Sequence, residues 1–217
     1  MQLYNLHTHH FTAVSDITEL VNQYPDTFDL SVPIWSIGIH PWRIEQSRIE
    51  DDFKFLEEKL SSKGCYAVGE CGLDKRIDTP LEQQAIVFER QLALAEQYNK
   101  PVIIHCVAAF QEIIEVKKRL GITVPMIIHG FSKNIQLAES LIKNGFYISF
   151  GKYLLLNPDL ETVFKAIPED KIFLETDTID EDILKVYEVA AKYRGVSIEE
   201  IRGVVERNFR RVFKKVF

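Results

Sequence analysis

Short, continuously apolar runs alternate with stretches of helical periodicity along the whole chain. The runs are LYNL (3–6), WSIGI (35–39), YAVG (66–69), PVII (101–104), PMII (125–128), FYISF (146–150) and KIFLE (171–175). Runs of this length without polar alternation predict parallel strands buried on both faces. ITELVNQY (17–24) is weaker and reads as a strand or a helix; counted as a strand, it brings the total to eight. Between the runs, Ser47 with Glu50 predicts the start of a helix through Phe53, Leu56 and Leu60 that stops near Gly64. Thr79-Pro80-Leu81-Glu82 predicts a capping box with proline at the first helical position, opening a long helix to about Asn99. Asn157-Pro158 predicts another start, and Gly121, Gly145 and Gly195 fall where C-terminal caps are expected. Ser197 with Glu200 caps the last helix, whose Ile201, Val204, Val205, Phe209 and Val212 form one apolar face.

Strands alternating with crossover helices imply an α/β fold with a parallel sheet. Eight strands favour a (β/α)8 TIM-type barrel, although the chain is shorter than the typical ~250 residues. The link between the first two strands is too short for a full helix, so the barrel is expected to be slightly trimmed near the N-terminus. No low-complexity stretch or Pro/Ser-rich linker divides the sequence, and a single domain over residues 1–217 is expected.

Composition narrows the function classes. At 46% apolar and 27% charged, the chain has ample material for a core. Thirty-two acidic residues against 26 basic ones, a net charge of −6, argue against a protein that coats duplex DNA. A nucleic-acid enzyme stays open, because bound metal ions can hold phosphate where the protein's own charge does not. Cys65, Cys71 and Cys106 make neither an even framework nor a CxxC pair and read as free thiols of a reducing cytoplasm. MQLYNLHTHHF lacks the basic flank and apolar core of a signal peptide, and no apolar run approaches 18 residues. The expectation is a cytoplasmic protein with no membrane association.

The chemistry shows in what ends each run. The first ends in His7-Thr8-His9, and WSIGI, YAVG, PVII, PMII and KIFLE end in His40-Pro41, Glu70, His105, His129 and Thr176-Asp177 in turn. In a barrel those ends converge on one mouth, the usual place of the active site. Taken singly, each residue has a plain structural reading: a solvated His pair, a packed rim histidine, a salt-bridge partner at Glu70, a helix cap at Asp177. Taken together, they suit metal. His-x-His places two side chains on one face of a strand, about 7 Å apart, and both can reach one ion. Even with His40 set aside, four histidines and two carboxylates exceed what one four-coordinate ion needs, so two ions are expected, with Glu70, midway in strand order, as the natural bridge. Mixed imidazole and carboxylate donors suit Zn²⁺, Mn²⁺ or Fe²⁺ ahead of Mg²⁺.

At this point the sequence resembles the TatD-type metal-dependent deoxyribonucleases of the amidohydrolase-like barrels. The resemblance rests on LHTH (6–9), GIHP (38–41), VGECGLD (68–74), PVIIHC (101–106), IIHGFS (127–132), ETD (175–177) and NFRRVF (208–213). It implies a (β/α)8 fold and a divalent-metal-dependent hydrolase acting chiefly on DNA phosphodiesters. It also implies that His7, His9 and Asp177 bind one ion and His105 and His129 the other, with Glu70 shared. Three departures bear on the substrate. The segment between His9 and Gly38 is short. Val107-Ala108 follow Cys106 where the family commonly carries an Arg-Asp pair, and Thr178-Ile179 replace the usual small residue and proline after ETD.

The function expected from this reading is phosphodiester cleavage of DNA ends or short single strands by a two-metal-activated water, with Asp177 and Glu70 as catalytic residues. Amide or ester hydrolysis on the same metals, and a non-catalytic metal-binding interaction protein, are the alternatives. His40 is a candidate for contact with the scissile phosphate or for a proton relay, and equally for a packed rim histidine. Lys133, with Lys75, Arg76 and Lys152, lies just past strand ends, where a phosphate contact competes with a solvated loop position. Trp42 and Phe131 read as packing more than as base-stacking platforms, and Asn208 as a hydrogen-bond partner of helix or loop.

Overall fold

In a computed structural model, residues 2–213 are described. All eight expected strands form: β1 (Leu3–Thr8), β2 (Ile17–Gln23), β3 (Trp35–Ile37), β4 (Cys65–Asp74), β5 (Val102–Val107), β6 (Met126–Ile128), β7 (Tyr147–Phe150) and β8 (Ile172–Leu174). Their hydrogen-bonded order is the chain order. The helices are α1 (Ile49–Leu60), α2 (Leu81–Gln97), α3 (Phe110–Leu120), α4 (Ile135–Lys143), α5 (Lys152–Leu156), α6 (Leu160–Ala166), α7 (Ile183–Arg194) and α8 (Ile198–Phe213). This is the α/β, (β/α)8 class. The trimming falls where the short links lie: among the described residues no helix joins β1 to β2, and only a 3-10 turn at Pro25–Thr27 lies between β2 and β3. ITELVNQY is a strand, buried along nearly its whole length.

The chain divides into two compact units, one running up to Val21 and from Ile127 onward, the other spanning Asn22–Met126. In the first, β6 pairs with β7 and β7 with β8, all parallel. A parallel bridge between Thr8 and Asp177 ties the end of β8 to β1, and β1 pairs with β2. Helix α8 covers β1 and β8. Its Phe209 ring lies 5.1 Å from that of Tyr4 and 6.2 Å from that of Phe173. The expected apolar face of α8 is buried in full, and its start is the expected capping box: Ser197 N–H and Oγ donate to Glu200 Oε2, and Glu200 N–H donates back to Ser197 Oγ. Asn208 is buried, its Nδ2 donating to the carbonyls of Glu169 and Ile172. In the second unit β3, β4 and β5 pair in parallel, with α1, α2 and α3 packed on them.

Several local expectations shift. Arg48, not Ser47, precedes α1, while Ser47 Oγ donates to Glu45. Helix α2 starts after Pro80 with no side-chain cap; the Thr79 carbonyl accepts instead from Gln84 Nε2. Asn157 turns the chain by accepting from Asp159 N–H, so α6 begins three residues past it. Gly121 and Gly195 are left-handed C-caps, and Gly145 lies one residue past the Asn144 cap. The ends of β1, β4 and β5 also move. Each runs on through polar residues, so His7, Glu70 and His105 sit within strands and not after them. A hydrophobic run stops at its first polar residue, whereas the backbone ladder continues wherever that residue finds partners.

Candidate metal centre

In the first unit, β1 carries His7, which is fully buried, and the chain leaving it carries His9. Asp177 follows Glu175-Thr176 past the end of β8. Its backbone is held on both sides, its N–H donating to the His7 carbonyl at 2.9 Å and its carbonyl accepting from His9 N–H at 3.0 Å. Its φ of 58° is left-handed, a conformation that Asp tolerates better than most residues. Asn5 clasps the same turn, donating from Nδ2 to Thr176 Oγ1 and accepting from Thr176 N–H. Asp177 Oδ1 is thereby set 3.7 Å from His7 Nε2 and 3.5 Å from His9 Nε2. The His129 ring, just past β6, has its centroid 4.5 Å from that of His7. Donor atoms of His7, His129 and Asp177 all lie within 4.8 Å of one another.

Behind His129 stands Glu175, which is fully buried. Its Oε1 accepts from Gly130 N–H at 2.6 Å and lies 3.5 Å from His129 Nδ1. Burial alone would raise this carboxyl, but hydrogen bonding to His129 and the charges of His129 and His7 hold it below its ordinary value.

The second unit gathers Glu70, His105 and His40, whose donor atoms also fall within 4.8 Å of one another. Glu70 is 4% exposed. Its N–H donates to Asn22 Oδ1 at 2.6 Å, its Oε2 accepts from Tyr24 O–H at 3.3 Å, and its Oε1 lies 3.1 Å from His105 Nδ1 and 3.2 Å from His40 Nε2. The close approach of β4 to β5 depends on Gly72, which pairs with His105. Its φ is +149°, and a Cβ there would overlap the His105 carbonyl oxygen.

His40 has a defined tautomer. Its Nδ1 accepts from Trp42 N–H at 3.1 Å. In the neutral ring the proton is therefore on Nε2, which donates to Glu70. With Nδ1 accepting from the backbone, His40 turns Nε2–H toward Glu70.

The remaining expected positions lie elsewhere. Lys133 is exposed between β6 and α4, beside a 290 Å³ surface cavity shared with Asn134, Asn157 and Thr162. Lys75 pairs with Glu112, and the Lys152 ammonium lies over the Tyr153 ring. Phe131 is buried against Phe150, as packing predicts. Trp42 is 65% exposed, but its Nε1 donates to Asp74. Sequence reasoning missed Asp74, Glu175, Tyr24 and Asn22. Asp74 and Glu175 lie inside the blocks VGECGLD and ETD, so their position was visible while their task was not. Nothing in the pattern marked Tyr24 or Asn22.

The donor set fits divalent metal. Within each unit a carboxylate faces imidazole nitrogens, those of His7 and His40 on buried residues and the others half-buried, and a neutral imidazole turns a lone pair toward one such neighbour. Cations relieve that crowding of lone pairs, and mixed nitrogen and oxygen donors suit borderline divalent ions. Fold and donors together define a metal-dependent hydrolase of the (β/α)8 class. The chain belongs to the TatD family, matching the family described as TatD related DNase over residues 2–214. It is 30% identical to the uncharacterized metal-dependent hydrolase YabD of Bacillus subtilis, over 82% of this chain and 76% of that protein. It is 28% identical to a protein of Edwardsiella piscicida named 3'-5' ssDNA/RNA exonuclease TatD, over 94% and 84% of the two chains. The crystal structure of YjjV, a TatD homologue of Escherichia coli, superposes with a TM-score of 0.84 at 22% identity, covering 99% of this chain and 98% of that one. No helix among the described residues is long and apolar enough to cross a membrane.

Proposed function

We propose that this chain is a two-metal phosphodiesterase of nucleic acid, acting on DNA ends and short single strands. The observation that carries the reading is the family match over nearly the whole chain, on a protein whose family blocks supply both donor clusters. The name of the Edwardsiella relative supports single-stranded nucleic acid as the substrate class. In this proposal His7, His9, Glu70, His105, His129 and Asp177 supply the ligands to two divalent ions of the Zn²⁺, Mn²⁺ or Mg²⁺ kind. The resemblance gives His129 to the ion of His105 and shares Glu70. The proximity of His129 to His7 and Asp177 supports assigning it to their ion.

Bound divalent ions supply Lewis-acid polarisation of a phosphoryl oxygen and make water a stronger acid. The chain's own groups do the rest. Asp177, partly exposed and with its backbone pinned, is the acceptor for the proton of the attacking water. His40, through Nε2–H, and Tyr24, through its hydroxyl, hold the Glu70 carboxylate in one orientation. Val107 and Ala108 offer no cation where the family commonly has one, so little phosphate binding comes from that position.

The test is a screen of the metal-reconstituted protein on bis-nitrophenyl phosphate, short single-stranded DNA, and ester and amide substrates. Phosphodiester turnover is expected. Ester or amide turnover alone would replace the reading with the alternative hydrolase, and silence on all substrates at verified metal occupancy would leave a non-catalytic metal protein. Metal also stabilises the native state, by about 2.7 kcal/mol when free ion is 100-fold above Kd. Chelation is therefore expected to lower Tm by roughly 5–10 °C, with Mn²⁺ or Zn²⁺ restoring it.

A further inference from the structure

We infer that Asp74 is the positioning carboxylate of His105, holding the Nε2–H of its ring so that Nδ1 keeps its lone pair on the side of Glu70. Asp74 ends β4 and is 2% exposed. Three nitrogens converge on its carboxylate. Trp42 Nε1–H donates to Oδ2 at 2.8 Å, Arg76 N–H donates to Oδ1 at 2.8 Å, and His105 Nε2 lies 3.2 Å from Oδ2. Its backbone is clamped as well, since its N–H donates to Gln84 Oε1 and its carbonyl accepts from Gln84 Nε2.

An ionised carboxylate only accepts. The neutral His105 ring carries a single N–H, and with that proton on Nε2 the unprotonated nitrogen is Nδ1, 3.1 Å from Glu70 Oε1. Two further rings lie against it, His40 at 4.3 Å between centroids and Trp42 at 5.7 Å. His40 turns its own N–H to Glu70, and Asp74 faces the Nε2 edge of His105. The inference rests on the reading of His105 as a ligand for its functional weight: a carboxylate on the distal nitrogen of a ligating histidine fixes its tautomer and raises its basicity. An amide cannot do the same work here. Whichever way an Asn at this position is turned, its NH₂ meets either Trp42 Nε1–H or Arg76 N–H.

The experiment compares wild type and Asp74→Asn by ¹⁵N NMR of histidine-labelled, metal-free protein, and by zinc affinity in competition with a chromophoric chelator. In wild type the His105 Nε2 is expected to carry a proton that exchanges slowly with solvent, whether the ring is singly or doubly protonated. In Asp74→Asn that proton is expected to exchange at least several-fold faster, because a hydrogen bond to a neutral acceptor is about half as strong. Zinc affinity is expected to fall by roughly 10- to 100-fold. A wild-type Nε2 without a proton overturns the proposal, and does so even when the variant fails to fold. Equal exchange in the two proteins overturns it too. Failure of wild type to take up zinc would instead sink the reading of His105 as a ligand, and the Nε2 proton would still decide the task of Asp74.

Discussion

Gly72→Ala is the sharpest test of how the sheet positions its histidine. Gly72 is paired with His105 across β4 and β5, at a φ of +149°. A methyl group there would overlap the His105 carbonyl oxygen and lie 2.9 Å from its carbonyl carbon. The backbone region is one that only glycine occupies freely, at a cost to alanine of roughly 1–3 kcal/mol. Relieving the overlap also requires β4 to move off β5, loosening two or three ladder hydrogen bonds, each contributing about 1 kcal/mol. The sum is about 3–6 kcal/mol. For a domain of this size that lowers Tm by an amount on the order of 10 °C or more. Gly121→Ala is the control: its φ is +64°, but nothing lies within 4 Å of the added carbon. Left-handed backbone alone costs about 1–2 kcal/mol, a few degrees. Differential scanning calorimetry of the two metal-free variants reads the contrast. Equal falls in Tm, or a fall of under about 3 °C for Gly72→Ala, would refute the close approach of the strands as the reason for glycine.

Asp177→Asn is expected to fold, because the backbone hydrogen bonds to His7 and His9 survive the change. Its turnover is expected to fall roughly 10²- to 10⁴-fold at full metal occupancy, the range for loss of a general base. Near wild-type turnover would mean that another group takes the proton. Asn208→Ala removes the hydrogen bonds of its amide to the Glu169 and Ile172 carbonyls, the second of them buried, and the acceptor of Arg211. It should cost about 2 kcal/mol, and an unchanged thermal transition would show that those carbonyls find other partners. Burial by itself would raise the Asp26 carboxyl, but hydrogen bonding and charge from Arg48 and Arg43 bring it below its ordinary value. Its stabilisation is therefore complete above the ordinary carboxylate range and fades as pH falls through the lowered native value. Asp26→Asn should lower stability at pH 7 by up to about 1 kcal/mol and make little difference at strongly acid pH. Urea unfolding that shows the same difference at both pH values would exclude the ion pairs as the source.

Strand number and order were legible because strands buried on both faces must be apolar throughout, and runs such as PVII and PMII carry that demand openly. The family blocks likewise marked His7, His9, Glu70, His105, His129 and Asp177, since residue type and place past an apolar run are properties of the chain alone. Helix starts were less legible. Ser47 and Thr79 have the chemistry of caps, yet the Ser47 hydroxyl donates to Glu45 and α2 opens after Pro80 with no side-chain cap; a hydroxyl's choice among nearby partners is settled only when the backbone is in place. The same limit holds at the site. Whether His40 ligates or donates depends on Trp42 N–H reaching its Nδ1. The task of Asp74 depends on Trp42, Arg76 and His105 arriving at one carboxylate, and that of Glu175 on Gly130 and His129. Sequence determined which elements form and which chemistry each one carries. Tertiary structure decided which lone pair faces which proton, because hydrogen-bond direction falls off over a few tenths of an ångström and tens of degrees, a scale on which only the packed strands hold their side chains.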